Sequence, residues 1–304
     1  MQVSHRQAVG LMVAVTLMWS IAGVVTRFLE SARGFEITFW RSAVTVLALL
    51  PMLAWLRGPR VLWHRVRDGD RAFWLASLCW ATMFTAFMLA LSLTSVANVL
   101  VTMALAPLFT ALGARFALGH KLAPRTWVAI VIAGAGIGWM YGDQLGAGDT
   151  RQLLGTAVAL GVPIAAAVNW TLLQHLFRSA DATPPPDMLA PVLLGALLSA
   201  ALTLPLSLPF AATAHDLALL GLLGVVQLAI PCLLAVRIAR VLSAPEVSLL
   251  SLLEVVFGVL WVWLLSAEAP SAAVLGGGLL VLGALAGNEA LALWRPGARS
   301  LQPR

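Results

Sequence analysis

Glu254 lies near the middle of the apolar run 244–266, about ten residues from either end, or about 15 Å at 1.5 Å per helical residue. A carboxyl at that depth in hydrocarbon is costly, so such groups face a cavity or a partner and mark function by default. It could bind an ammonium group or carry a proton. The plainer reading is a carboxyl bonded to a neighbouring backbone carbonyl, serving only to pack helices. Arg41, about two turns inside the run 35–56, could draw in a carboxylate; it could equally snorkel to the headgroups or pair with Glu36.

Around these two charges the sequence sets aromatic and amide side chains. Trp19, Trp80, Phe84, Asn169, Trp170 and Gln227 fall at mid-run depth, away from the interface level where aromatic belts sit. Indoles there can stack on an apolar solute or attract a cation over the ring face; singly, each is more often a packing group. Trp55, Trp74, Trp139, Trp261, Trp263 and Trp294 lie nearer run ends and read as belt anchors. Asn98, Thr102, Ala106 and Phe109 recur every three or four residues, on one helical face. That stripe could line a pathway, or glue one helix to another. Pro107, Pro163 and Pro231 fall inside apolar runs, where each withholds an N–H and bends the helix; such breaks can be hinges or tolerated kinks.

Several chemistries lack their residues. No Walker phosphate loop is present, so ATP is not expected to drive anything. There is no HExxH, no clustered His/Cys ligand set and no Gly-x-Ser-x-Gly elbow, and no paired Asp motif for diphosphate–Mg chemistry. An enzyme is not expected, nor a cofactor or metal. Cys79 and Cys232 both fall in apolar runs, so no disulfide framework is implied.

The elements that must position these residues follow from composition. Hydrophobic residues make up 61% of the 304 and charged ones 11%, against about a quarter charged in a soluble domain. The runs 8–28, 35–56, 73–93, 96–118, 126–141, 153–175, 188–210, 217–236, 244–266 and 272–294 are candidate spans on length and hydropathy. The expected fold is therefore an all-α polytopic membrane protein with ten transmembrane helices; transmembrane barrels need short alternating segments instead. The first run is too long for a signal-peptide core and is kept as a span.

The net charge of +6 would suggest nucleic acid in a soluble chain. Here the basic residues lie in loops and act as orientation signals, so no nucleic-acid partner is expected. Arg6, Arg57, Arg60, Arg65, Arg67, Arg71, Arg115, Lys121, Arg125, Arg178, Arg237, Arg240, Arg295, Arg299 and Arg304 collect on one side, with Arg27, Arg33 and Arg151 on the other. Both termini are expected on the cytoplasmic side.

The chain also repeats itself. The stretch from Ser95 to Lys121, moved along by 148 positions, lies on Ser243 to Ala269, matching Ser95 with Ser243, Val99 with Val247, Leu105 with Leu253, Phe109 with Phe257 and Leu112 with Leu260. Trp19-Ser20 followed by Arg27 recurs as Trp170-Thr171 followed by Arg178. Under the same shift the stripe from Asn98 to Phe109 falls on Glu246, Leu250, Glu254 and Phe257, so spans four and nine are expected to face each other. Two units, 1–148 and 149–304, each with five spans, enter the membrane from opposite sides because five is odd. An inverted repeat of that kind is typical of secondary transporters, with the site at mid-membrane between the units. Ser243-Ala244-Pro245-Glu246 reads as a capping box opening span nine.

These residues resemble the drug/metabolite transporter superfamily, and within it the ten-span exporters built from paired EamA-type repeats. The resemblance rests on the two five-span halves, Trp-small residue in spans one and six, Arg41 early in span two, the Ala-Pro-Leu-Phe run at 106–109 and Glu254 at the matching place. It covers the whole chain, with two departures: Val255 follows Glu254 where the family often has proline, and His120 stands where an acid is common. The resemblance implies export of amino acids and other small metabolites across the bacterial inner membrane. With the aromatic interior, the expectation is an alternating-access exporter of small metabolites, aromatic or hydrophobic amino acids first, acting as a monomer in the lipid bilayer. Trp19, Arg41, Trp80, Phe84, Asn98, Thr102, Ala106, Asn169, Trp170, Gln227 and Glu254 would bind substrate, and Pro107, Pro163 and Pro231 would gate. The alternatives are an exporter of drugs or quaternary cations, and an intramembrane lipid enzyme.

Overall fold

The computed structural model describes residues 4–118, 124–146, 149–178, 187–265 and 271–293. Lys121, His120, Trp294, Arg295, Arg299 and Arg304 lie outside them. Every regular element among the described residues is helical: α1 (His5–Val25), α2 (Phe35–Arg57), α3 (Pro59–Arg67), α4 (Arg71–Leu93), α5 (Val96–Met103), α6 (Ala106–Leu118), α7 (Pro124–Gly146), α8 (Thr150–Ala159), α9 (Gly161–Arg178), α10 (Ala190–Ser207), α11 (Ala214–Leu222), a π-helical segment at Leu223–Ala229, α12 (Ile230–Ile238), α13 (Ala244–Leu265) and α14 (Ala272–Leu293).

Eight of these stretches, some joining two helices, are long and apolar enough to cross a membrane. They are His5–Phe28, Phe35–Arg57, Arg71–Leu93, Val96–Gly113, Thr150–Phe177, Ala190–Ser207, Ala214–Ile238 and Ala244–Leu265. The expected fifth and tenth spans fall on α7 and α14, whose described apolar stretches are the shorter Trp127–Gly136 and Ala272–Ala284. The molecule is an all-α polytopic membrane protein. Large apolar side chains point outward along its flanks, among them Leu47, Leu202, Trp263 and Leu279, as a bundle solvated by lipid requires.

Local chemistry explains where helices start and stop. Ser4 and Gln7 form a reciprocal capping box on α1, and Thr213 and Asp216 form another on α11. At α13 the Glu246 carboxylate accepts from both the backbone N–H and the hydroxyl of Ser243, each at 2.7 Å. Three spans break where proline withholds an N–H from the carbonyl four residues back. Pro107 cannot serve Met103, where α5 ends; Pro163 cannot serve Ala159, where α8 ends; Pro231 cannot serve Gln227, inside the π-helical segment.

Packing joins elements of the two sequence halves. α1 lies on α13, and α9 lies on α6; α10 lies on α4, and α2 on the π-helical segment and α11; α2 pairs with α10, and α7 with α14. Equivalent positions meet in both halves. The indole N–H of Trp261 donates to Ser20 Oγ at 3.1 Å, and the matching Gly113 faces Thr171. Close approaches need glycine: a Cβ on Gly195 would collide with Trp80, and one on Gly224 would come within 2.8 Å of the Arg41 carbonyl oxygen.

The two ends of the bundle are built differently. α2 is 23 residues long, about 34 Å at 1.5 Å per residue, and separates them. At its start the buried Asp216 carboxylate accepts backbone N–H groups from Glu30, Ser31, Ala32 and Thr213. In return Glu36 accepts those of Ala211 and Ala212, each at 2.9 Å. At the far end Arg57 pairs with Asp187 at 2.9 Å, and the chain turns at Gly58 (φ 84°) into the short basic helix α3.

Candidate functional site

A cavity lies where α1, α2, α4, α9, α12 and α13 converge, and both sequence halves line it. Its walls are Trp19, Trp80, Met83, Phe84, Phe87, Met103, Ala106, Val162, Pro163, Ala166, Trp170, Leu228, Leu252 and Val255, with Arg41, Gln227, Cys232, Ser248, Ser251 and Glu254 as its polar lining. About 100 Å³ of it is wide enough for the centre of a water molecule.

α4 contributes Trp80, Met83, Phe84 and Phe87 at three- and four-residue spacing, so one helical stripe forms an aromatic wall. Trp80 stands edge-on to Trp170 of α9, centroids 5.8 Å apart and planes at 90°, and lies 5.5 Å from Phe84. A wall made from both halves changes shape if the halves move.

Arg41 is fully buried, so it neither snorkels nor pairs with Glu36, which is committed to Ala211 and Ala212. Its guanidinium donates to the Phe84 carbonyl oxygen at 2.6 Å and to Gln227 Oε1 at 3.2 Å, and lies 5.9 Å from the Phe87 ring centroid. Nε has no hydrogen-bond partner among the described residues. Gln227 in turn points Nε2 toward the Trp19 carbonyl oxygen, 3.5 Å away. The guanidinium thus sits on neutral acceptors, and among the described residues no carboxylate lies within ion-pair distance of it. A guanidinium keeps its charge under all physiological conditions, and a buried cation without a counter-ion is expensive.

Glu254 is also buried and lines the same cavity. It makes no hydrogen bond or ion pair with a described residue, so the backbone-bonded packing role does not describe it. Cys232 lies near Trp19, Arg41 and Glu254. The cavity therefore presents a cationic group and a carboxyl that do not satisfy each other, between indole and phenyl faces.

Nine residues singled out from sequence line this cavity: Trp19, Arg41, Trp80, Phe84, Ala106, Pro163, Trp170, Gln227 and Glu254. Asn98, Thr102, Asn169, Pro107 and Pro231 do not. Asn98 donates to Thr94 Oγ1 at 2.9 Å, and the Thr102 hydroxyl donates to the Asn98 carbonyl oxygen at 2.7 Å, so both serve their own helix. A break at Ala104–Leu105 separates α5 from α6, and of the four-residue rhythm read across it Ala106 reaches the cavity while Asn98, Thr102 and Phe109 do not. Asn169 is buried, and neither end of its amide has a partner among the described residues.

Other lining residues escaped the sequence reading. Phe87 follows Phe84 and Trp80 on the same stripe, and Ser248 and Ser251 share a helical face with Val255; continuing each period would have found them. Met103 and Cys232 carried no distinguishing signal. Trp261, expected as a belt anchor, is half-buried and bonded to α1, whereas Trp55, Trp74, Trp139 and Trp263 are exposed. Among the described residues no group of three or more His, Cys, Asp or Glu side chains could hold a metal ion.

Comparison with known proteins adds three findings. A solved crystal structure shares the fold: TM-score 0.65 at 20% identity, over 96% of this chain and 99% of that one. No curated protein matches the chain. Residues 6–142, close to the first half of the chain, match the EamA-like transporter family.

Proposed function

We propose that the chain is a secondary transporter that exports small amphipathic metabolites, with aromatic or large hydrophobic amino acids its first substrates. One observation carries this reading: Arg41 and Glu254, both buried, line one Trp-walled cavity without pairing with each other. A zwitterion offers a carboxylate to the first, an ammonium to the second and an apolar side chain to the indoles. The transporter class is supported by the match of residues 6–142 to the EamA-like transporter family.

Transport would proceed by alternating access, two units rocking about the cavity. The units are 1–148 and 149–304, counted as ten spans when α7 and α14 are included, inverted because each holds five. Their equivalent contacts across the bundle support that division. The breaks beside Pro107, Pro163 and Pro231 supply bending points, and two of the carbonyls that these prolines cannot serve belong to cavity residues, Met103 and Gln227. The reading places the protein as a monomer in the bacterial inner membrane, termini in the cytoplasm.

A second reading, an exporter of lipophilic cations, is favoured by the aromatic wall and Glu254. Arg41 weighs against it, since a cationic solute would share the cavity with an unneutralised guanidinium. Counterflow in proteoliposomes separates the two using phenylalanine, phenethylamine and phenylpropionate, which share a ring and differ in charge. Leaving a buried charge without its partner costs about 2–5 kcal/mol, so phenylalanine is expected to exchange more than about ten-fold faster than either. Arg41→Gln should narrow the advantage over the amine, and Glu254→Gln the advantage over the acid. Faster exchange of phenethylamine than of phenylalanine would move the assignment to cations. Chemical conversion of a substrate without net flux would move it to an enzyme.

A further inference from the structure

The short helix α3 (Pro59–Arg67) stands apart from the spans. It follows a turn at Gly58, whose φ of 84° suits glycine alone, so the chain leaves α2 sharply. With α2 and α4 both long enough to span, α3 must lie at the bilayer surface. Leu62 is its only buried residue, and contacts with α2 and α10 hold it to the bundle.

The outward surface there combines two kinds of group. Trp55, Trp63 and Trp74 are 85%, 66% and 46% exposed, at the end of α2, on α3 and at the start of α4. Arg60, Arg65 and Arg71 are exposed and make no hydrogen bond or ion pair with any described residue. Nearby cations do have partners: Arg57 pairs with Asp187, and Arg67 lies 3.6 Å from Asp68. The opposite end of α2 has no such surface, because its carboxylates are spent on backbone N–H groups and Arg33 donates to the Glu30 and Ala32 carbonyl oxygens.

Indoles prefer the headgroup level of a bilayer, and guanidinium groups bind phosphate oxygens in pairs of hydrogen bonds. A basic amphipathic helix with exposed indole is the arrangement that lies in an interface and is strengthened by anionic lipid. We propose that α3, with the starts of its neighbours, is a docking surface for anionic phospholipid headgroups, held by Arg60, Arg65 and Arg71 between the exposed rings of Trp55, Trp63 and Trp74. Orientation signalling alone would need the charges, but neither the helix nor the indoles. Because α2 also carries Arg41, a lipid that steadies α3 steadies the end of a cavity-lining helix.

The test needs no substrate and so stands independently of the transport reading. The full chain is unfolded thermally in neutral detergent micelles titrated with phosphatidylglycerol, with phosphatidylcholine or with inorganic phosphate. Phosphatidylglycerol should raise the midpoint where the other two do not. Arg60→Gln, Arg65→Gln and Arg71→Gln should each raise the half-saturating lipid concentration about five-fold, and together abolish the lipid-dependent shift. Should the triple variant fail to fold, the single variants carry the result. A second readout attaches a fluorophore at Trp63→Cys, since Cys79 and Cys232 are buried. Brominated phosphatidylglycerol should quench it more than brominated phosphatidylcholine. Equal shifts with both lipids, an unchanged preference in the single variants, or an equal response to inorganic phosphate would overturn the proposal.

Discussion

The two seams that flank the cavity, α1 against α13 and α6 against α9, occupy matching places in the repeat yet are fastened differently. At the first, Trp261 fills the contact and donates to Ser20 Oγ, and nearby Gly258 is closely packed: an added Cβ would sit 2.5 Å from Leu100 Cδ1 of α5 and 3.6 Å from the Ser20 carbonyl oxygen of α1. At the second, glycine stands where tryptophan would. Gly113 has Thr171 Oγ1 as its nearest neighbour, 3.7 Å from a hypothetical Cβ, and that buried hydroxyl has no hydrogen-bond partner among the described residues. One seam is tied by a large side chain and a directional bond; its counterpart has neither at the matching place among the described residues and is the looser of the two. The two seams join corresponding stretches of the two sequence halves, and different side chains fasten them. The loose seam separates at lower cost, so a bundle that rocks would open first along α6 and α9.

Cutting the tied seam should have the largest effect. Trp261→Ala removes a large half-buried ring and the Ser20 bond, and a loss of about 3 kcal/mol is expected from large-to-small substitutions of this kind. Thermal unfolding in detergent checks it. Adding one methyl to each seam should then give opposite signs. Gly258→Ala is expected to destabilise by about 1–2 kcal/mol through overpacking, while Gly113→Ala, meeting only ordinary contact, should stabilise by up to about 1 kcal/mol through helix propensity. Smaller still is the hydroxyl pair. Ser20→Ala should cost about 1 kcal/mol by stranding the indole N–H, whereas Thr171→Val should be neutral or slightly stabilising because it removes a hydroxyl that bonds to no described residue. Hydrogen exchange should show α9 opening at lower free energy than α1. Equal responses at the two seams would remove the distinction between them.

How much of this was legible in the sequence depends on the kind of signal. The helical membrane class follows from composition, which no tertiary contact can override. The depth of Glu254, Trp80 and Trp170 along their runs, read with the duplication, located side chains that the fold brings to one cavity. Rotation about a helix axis was harder to read. The stripe from Asn98 to Phe109 crosses the break before Pro107, and only Ala106 of its four members reaches the cavity. The π-helical turn that presents Gln227 was also hidden, since Leu223–Ala229 reads as ordinary apolar helix and only Pro231 hints at irregularity. Arg41 shows a third limit: from sequence an arginine two turns into a span can snorkel or stay, and only its bonds to Phe84 and Gln227 decide it.

The central claim, that solute occupies the cavity between Arg41 and Glu254, is most directly tested through Cys232. That thiol lines the cavity, whereas Cys79, also buried, is not among its walls, so one molecule carries both probe and control. The rate at which a small, membrane-permeant thiol reagent modifies each cysteine would be measured in proteoliposomes with and without saturating phenylalanine. The account predicts that phenylalanine slows modification of Cys232 several-fold and leaves Cys79 unchanged, with protection lost in Arg41→Gln. Saturable phenylalanine flux with Cys232 modified equally fast in its presence and absence would contradict it.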